Sequence, residues 1–269
     1  MSPFGDGVLI TGASAGIGLA CADLLHQQGW KVFGASRRGT SPGGWSPLTM
    51  DVDRDASVEA GVRSVTEGEG RLRAVVACAG WGLAGAVEDT PIDQAKAQFE
   101  TNFWGVVRVV QAALPVMRRQ GSGRIVLVGS IGGVIGLPFQ AFYSASKFAL
   151  EGYGESLAYE VAPFSIDVTI VEPGNVKTDF TASRRTVEPP TGKSEYVAAS
   201  TKAIGKMAQD EAKGVPPADI AATVAKVLTA RRPPRRISAG SVDERVGPLA
   251  KRVLPYALFE RMAKGSLGV

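Results

Sequence analysis

The hydrophobic positions fall into two kinds of segment that alternate along the chain. Short apolar runs, "VLIT" (8–11), "KVFGAS" (31–36), "PLTMDV" (47–52), "RAVVACA" (73–79), "RIVLVGS" (124–130), "DVTIVEP" (167–173) and "RRISAG" (235–240), are separated by longer amphipathic stretches. Runs of this length that stay apolar without alternating are expected of strands covered on both faces. Helical segments are predicted near 16–29, 55–66, 92–119, 143–162 and 217–230, and the last begins after prolines and ends before prolines in "PPADIAATVAKVLTARRPPRR". The alternation predicts βαβ units feeding a parallel sheet, an α/β fold of the doubly wound kind with a seven-stranded, mainly parallel sheet and helices on both faces.

Two stretches stand outside the pattern. Residues 177–215 have no strong period and are rich in Thr, Ser, Lys and Pro, which predicts a substrate lid or a partly helical connection. The C-terminal tail, 247–269, mixes apolar and basic residues around Pro255. It reads as a segment that docks on its own domain or on a subunit partner, with a membrane-surface helix as the alternative. With no internal repeat and no Gly/Ser linker, residues 1–269 are expected to form a single domain.

Composition narrows the picture. The 269 residues are 45% apolar and carry a formal net charge of +4, which suits an anionic ligand without naming one. No long basic block is interleaved with aromatics, so nucleic acid is not the expected partner. The two cysteines, Cys21 and Cys78, lie in apolar runs without a CxxC pair, as in a reducing compartment. No stretch approaches the roughly 20 apolar residues of a membrane span. The start "MSPFGDGVLITG" lacks the basic and apolar regions of a secretion signal, so a soluble cytoplasmic location is expected. The single histidine, His26, rules out a histidine-rich metal site.

In "VLITGASAGIGLACADLL", Gly12, Gly16 and Gly18 follow the first strand and open the first helix. Glycines there permit a tight turn and close backbone approach, while the helix N-terminus offers free N–H groups to a pyrophosphate. The context predicts a dinucleotide site and hence a Rossmann-type sheet. At the end of the second strand an acidic residue would receive ribose hydroxyls, whereas basic residues accommodate a 2′-phosphate. Here "GASRRG" places Ser36, Arg37 and Arg38, which favours NADP(H) over NAD(H), although one of the two arginines is expected to be a solvated loop charge. Asp51, in "MDV", would read an adenine amino group or else cap the helix that follows.

With these pieces in place, the sequence resembles the short-chain dehydrogenase/reductase family from about Gly7 to about Gly174, with weaker echoes to Gly240. The likeness rests on "TGASAGIG" (11–18), "DV" (51–52), "AG" (79–80), "TNFWG" (101–105), "GS" (129–130), "YSASK" (143–147) and "EPGNVKT" (172–178). The resemblance implies Tyr143 as acid/base, Lys147 as its activator and ribose ligand, Ser130 as the substrate-orienting hydroxyl and Asn102 as a member of a proton relay. It further implies cofactor contacts at Gly12, Ser14, Gly16, Ile17, Gly18, Ser36, Arg37, Asp51, Val52, Ala79, Gly80, Asn102, Tyr143, Lys147, Pro173, Gly174, Val176 and Thr178. A homodimer or homotetramer is also implied, paired through the long helices at 92–119 or 143–162.

The residues support these roles on their own chemistry. Tyr143 and Lys147 at i, i+4 project from one helix face, and a fixed ammonium lowers a phenol's pKa towards working pH. Ser130 closes a strand at the carboxyl end, where open α/β sheets bind ligands. One departure from the family pattern is Cys78, which stands where the family usually has Asn before "AG"; this puts local sheet-edge stability in question.

Residues expected to face substrate are Trp81, Leu83, Ile131, Gly132, Leu137, Phe139, Val176 and Phe180, mainly apolar. They predict a hydrophobic carbonyl or alcohol substrate. "SRR" (183–185) is expected to be a solvated charge cluster, with contact to an acidic substrate group as the other role. The expected activity is hydride transfer between nicotinamide and a carbonyl or secondary alcohol; a nucleotide-sensing or scaffolding protein that kept the site without turnover is the alternative.

Overall fold

The computed structural model describes residues 7–69, 71–188 and 194–267. Its centre is a seven-stranded sheet in the order β3-β2-β1-β4-β6-β7-β9. These strands are β1 (Gly7–Thr11), β2 (Lys31–Ser36), β3 (Ser46–Thr49), β4 (Leu72–Ala77), β6 (Gly123–Val128), β7 (Ile166–Pro173) and β9 (Arg236–Ala239). Every pairing is parallel. The strand order reverses between β1 and β4, which makes this the doubly wound, Rossmann-type architecture.

The continuous apolar runs have the predicted physical reason. Leu9, Val75, Ile125 and Ile170 face a core formed with α2 (Asp55–Glu69), α4 (Gly105–Gln120) and α5 (Ala141–Val161). Their neighbours Val8, Ile10, Val76 and Val126 face a second core formed with α1 (Gly16–Gln27) and α8 (Pro217–Thr229). Alternate residues of one strand thus enter opposite cores, so neither parity can be polar. The edge strands β3 and β9 are short, and β3 is largely exposed, which limits pairing with other chains.

The structure departs from the sequence reading in three places, and it gives the lid and the tail their helices. The third strand ends at Thr49 rather than at 52, because Met50–Arg54 turns into α2. The segment read as one helix over 92–119 is α3 (Ile92–Phe99), a π-helical turn (Glu100–Trp104) and then α4, which carries Pro115 inside it. A small parallel pair, β5 (Leu83–Ala84) with β8 (Arg185–Thr186), was not predicted, since two residues give no periodicity. The lid contains α6 (Phe180–Ser183) and α7 (Val197–Ala212), and its residues 189–193 lie outside the described residues. The tail forms α9 (Val242–Val253) and α10 (Tyr256–Leu267), separated at Pro255.

Packing against β7 is close enough to require a glycine. A Cβ on Gly154 of α5 would lie 2.8 Å from Ile170 Cδ1 and 2.9 Å from Leu127 Cδ1. Gly154→Val should therefore destabilise the fold by about 1–3 kcal/mol through overpacking, seen as a lower urea midpoint; an unchanged midpoint would mean that α5 shifts freely on the sheet.

Candidate active site

The turn after β1 begins with Gly12, at φ 71°, whose missing side chain leaves room for the backbone of Ala79: a Cβ there would lie 2.9 Å from Ala79 Cα. Gly18, in the first turn of α1, packs so closely that a Cβ would overlap the Gly12 carbonyl oxygen. The glycines thus press the helix N-terminus onto the strand end, and its N–H groups open into a cleft of about 1530 Å3. Thr11 finishes the strand with its hydroxyl oxygen accepting the N–H groups of Cys78 (3.1 Å) and Ala79 (3.2 Å). That resolves the question raised by Cys78: Thr11 supplies the local tie across the sheet. Burial pushes the Cys78 thiol up to about 11, as for an unreactive cysteine.

All the residues predicted as catalytic or cofactor-binding except Asn102 line this one cleft. At one end are Gly12, Ser14, Gly16, Ile17 and Gly18, then Ser36, Arg37 and Arg38 from the end of β2, and Asp51 and Val52 beyond β3. Ser36 accepts the Gly39 N–H (3.1 Å) and shapes the loop that carries both arginines. Asp51 does not cap α2; its own N–H donates to Ser57 Oγ (3.0 Å) and its carboxylate accepts the Asp53 N–H (3.2 Å). Ala79, Gly80, Pro173, Gly174, Val176 and Thr178 form the middle.

At the other end Ser130, Tyr143 and Lys147 converge. Ser130 Oγ accepts the N–H of Gly132 (3.0 Å) and is close enough to the Tyr143 phenol to act on its pKa. Lys147 lies one turn further along α5, buried, its ammonium donating to the Val128 carbonyl (2.9 Å) and lying 6.0 Å from the centre of the Tyr143 ring. Burial lowers the Lys147 pKa to about 8, opposed by Cys78 and by Glu151, one further turn along α5. The Tyr143 phenol does not move towards neutral pH as the sequence suggested. Burial raises it above its ordinary range, and the Ser130 hydroxyl offsets this in part.

Asn102 sits in the π-helical turn, behind the cleft wall. Its side chain accepts the Trp81 N–H (3.0 Å) and donates to the Trp81 carbonyl (3.0 Å) and to Ser146 Oγ (3.3 Å). A Cβ on Gly80 would lie 3.1 Å from Asn102 Oδ1 and 3.9 Å from Lys147 Nζ, so this glycine lets the amide approach the lysine.

Of the residues expected to face substrate, Trp81, Ile131, Gly132, Leu137, Val176 and Phe180 line the cleft, whereas Leu83 and Phe139 do not. Leu83 is buried in β5, with its N–H donating to Gln98 (2.8 Å). The "SRR" expectation holds in part: Ser183 and Arg185 are exposed, Arg185 stacking 4.3 Å over the Trp81 ring, whereas the Arg184 side chain is buried in an ion pair with Glu211 of α7. Sequence reasoning missed Glu211, which also accepts from Thr181, and Glu244 of α9, which accepts the Asn175 N–H (2.7 Å) beside Gly174. It also missed Met207, Phe259 and Met262 in the cleft wall. For Glu244 a signal was present, the Ser-x-x-Glu capping box at 241–244.

Comparison with known proteins places these features in context. Residues 6–189 match the family model described as short chain dehydrogenase. The chain is 38% identical over 254 residues to a 3-ketodihydrosphingosine reductase of Bacteroides thetaiotaomicron, covering 94% of each chain. It is 36% identical over 256 residues to retinol dehydrogenase 8 of Bos taurus, covering 85% of this chain and 80% of the relative. A solved short-chain dehydrogenase from Streptomyces avermitilis superimposes with a TM-score of 0.82 at 31% identity, covering 97% of this chain and 98% of that one.

The Thr11 tie is testable apart from any activity. Thr11→Val should lower stability by about 1–3 kcal/mol by leaving the Cys78 and Ala79 N–H groups without their acceptor, while Thr11→Ser should stay near the parent in urea unfolding. Equal effects of the two substitutions would show that the hydroxyl does not matter.

Proposed function

The chain belongs to the short-chain dehydrogenase/reductase family, and from that premise we propose that it is an NADP(H)-dependent reductase of an apolar ketone or aldehyde. The observation that carries this reading is the convergence of Ser130, Tyr143 and Lys147 on one end of the cleft, with the Lys147 ammonium fixed by the Val128 carbonyl and 6.0 Å from the Tyr143 ring centre, at the far end from the glycine turn.

A nicotinamide dinucleotide supplies the hydride when bound, and the residues of the cleft fit one. The glycine turn leaves room for a pyrophosphate beside the N-terminus of α1, and Arg37 with Arg38 offers guanidinium groups where a 2′-phosphate would be read. Lys147 would meet the nicotinamide ribose. Thr178 and the Pro173–Gly174 turn would border the ring.

Reduction of a carbonyl needs a proton on its oxygen as charge develops there. Tyr143, whose phenol stays protonated at neutral pH, is in the state that can give it. Ser130 Oγ already accepts from Gly132, so its own proton is left to point at Tyr143 or at the substrate oxygen. Lys147 would stabilise the phenolate left behind, and Asn102 would help to return a proton. Substrate class follows from the wall: Trp81, Ile131, Leu137, Phe180, Met207 and Phe259 make it mainly apolar. The relatives named for a ketodihydrosphingosine and for retinol are consistent with a bulky substrate of this kind. We read 1–269 as a single catalytic domain that works as a cytoplasmic homodimer or homotetramer.

A screen of NADPH oxidation against ketones and aldehydes of graded size tests the reading. Tyr143→Phe should abolish turnover while NADPH still binds, and Arg37→Ala should weaken NADPH much more than NADH. Tight NADPH binding with no substrate turned over would favour the nucleotide-sensing alternative. The pH dependence has a defined sign as well. Reduction should slow as pH rises through about 8, where Lys147 loses its proton. Because the Glu151 carboxylate raises that value, Glu151→Gln should move this limb of the kcat/KM profile to lower pH; a limb that stays in place would remove Lys147 as its origin.

A further inference from the structure

The two C-terminal helices have two occupied faces, of which the fold explains one. Their inner face closes the cleft mouth through Gly247, Ala250, Phe259 and Ala263. Lys251 pins it there, donating to the Val134 carbonyl (2.6 Å) with its ammonium 5.0 Å above the Phe148 ring. The outer face carries Val242, Leu249 and Val253 at i, i+7 and i+11, between 59% and 69% exposed, while Val246 at its edge (51%) also reaches the cleft. Past Pro255, Leu258 (48%) adds a further exposed apolar side chain, while Tyr256 (74%) and Met262 (56%) border pockets on the inner side. An apolar stripe of this length left in water marks a surface meant to be covered.

Charge indicates the cover. Arg245, Arg252 and Arg261 are exposed beside the stripe. The acids of the two helices are mostly engaged: Glu244 is turned inward onto the Asn175 and Ser241 N–H groups, and Glu260 pairs with Lys264 (2.9 Å). A second copy of the chain seated on this face about a two-fold axis would bring like arginines together, which is unfavourable. An anionic sheet of phosphates receives them with charge-assisted hydrogen bonds while acyl chains take the apolar stripe. Each helix has 12 residues, about 18 Å, and no helix among the described residues is long and apolar enough to cross a membrane. The pair can lie in an interface but not span it.

We propose that the outer face of α9 and α10 docks on an anionic lipid bilayer, setting the cleft mouth against the membrane so that an apolar carbonyl substrate enters from the lipid. The docking rests on the stripe and its arginines; only the identity of what enters rests on the reductase reading.

Vesicle flotation of the full chain tests it, with phosphatidylcholine alone and with added phosphatidylglycerol. The parent should float with the anionic vesicles, and Leu249→Glu with Val253→Glu should reduce the floating fraction roughly tenfold while near-UV dichroism and turnover of a small water-soluble ketone stay unchanged. Arg245→Glu with Arg252→Glu should erase the preference for anionic lipid. A parent that stays at the bottom of the gradient, or variants that float as well as the parent, would overturn the proposal. So would a parent dimer that the Leu249/Val253 variant splits without vesicle binding, since the cover is then a second copy. Flotation needs no turnover, so docking with no carbonyl reduced would refute the reductase reading alone.

Discussion

Much of the site depends on one buried hydrogen bond, from the Lys147 ammonium to the carbonyl of Val128. A buried ammonium is costly unless it is paired or bonded, so this contact holds α5 over the end of β6 in one register. That register sets Tyr143 beside Ser130, two residues beyond Val128. Beneath it, the Glu151 carboxylate accepts from Arg236 of β9 (2.7 Å), and Arg236 also reaches Glu155 (2.8 Å). Burial and the neighbouring Glu172 push Glu151 up to about 7. The positive charge of the cleft is therefore backed by a column of acids tied to the last strand of the sheet.

A second constraint is steric. Gly12, Gly18 and Gly80 each take a position where a side chain would meet backbone or a buried amide, and together they bring α1, the β4 end and Asn102 within reach of one cleft. Glycine loses more conformational freedom on folding than other residues, so its use at these points is repaid by close approach. The far wall is built differently. Arg184, Glu211 and Thr181 hold α6 against α7, while Glu244 holds α9 against the Asn175 turn. One set of polar ties holds the lid together and the other joins the tail to the frame, with Phe180, Met207 and Phe259 lining the cleft.

The likeness to short-chain dehydrogenases agrees with this division. The matched residues 6–189 contain the glycine turn and the Ser130, Tyr143 and Lys147 cluster, whereas α7 to α10 lie beyond them. The apolar wall of the cleft is divided between the two: Trp81, Ile131, Leu137 and Phe180 fall inside the matched part, and Met207 and Phe259 beyond it.

The sequence by itself determined the sheet, its buried strands and most of the residues that gather in the cleft, because these depend on local signals: period, glycine at a strand end, and i, i+4 spacing on a helix. "YSASK" put Tyr143 and Lys147 on one face before any contact was known. Only the tertiary structure decided the electrostatics and the wall. The upward shift of Tyr143 comes from burial, to which Arg184 and Glu211 add smaller opposing effects from segments far along the chain. Asn102 was expected at the site from its motif, whereas its place behind Gly80, outside the cleft lining, needs the π-helical turn and other segments in contact. Leu83 and Phe139 were misread as lining because two-residue strands and a single left-handed residue leave no periodic trace. Local pattern fixes which way a side chain leaves its own element; what it then meets depends on distant parts of the chain, and desolvation and charge act through space.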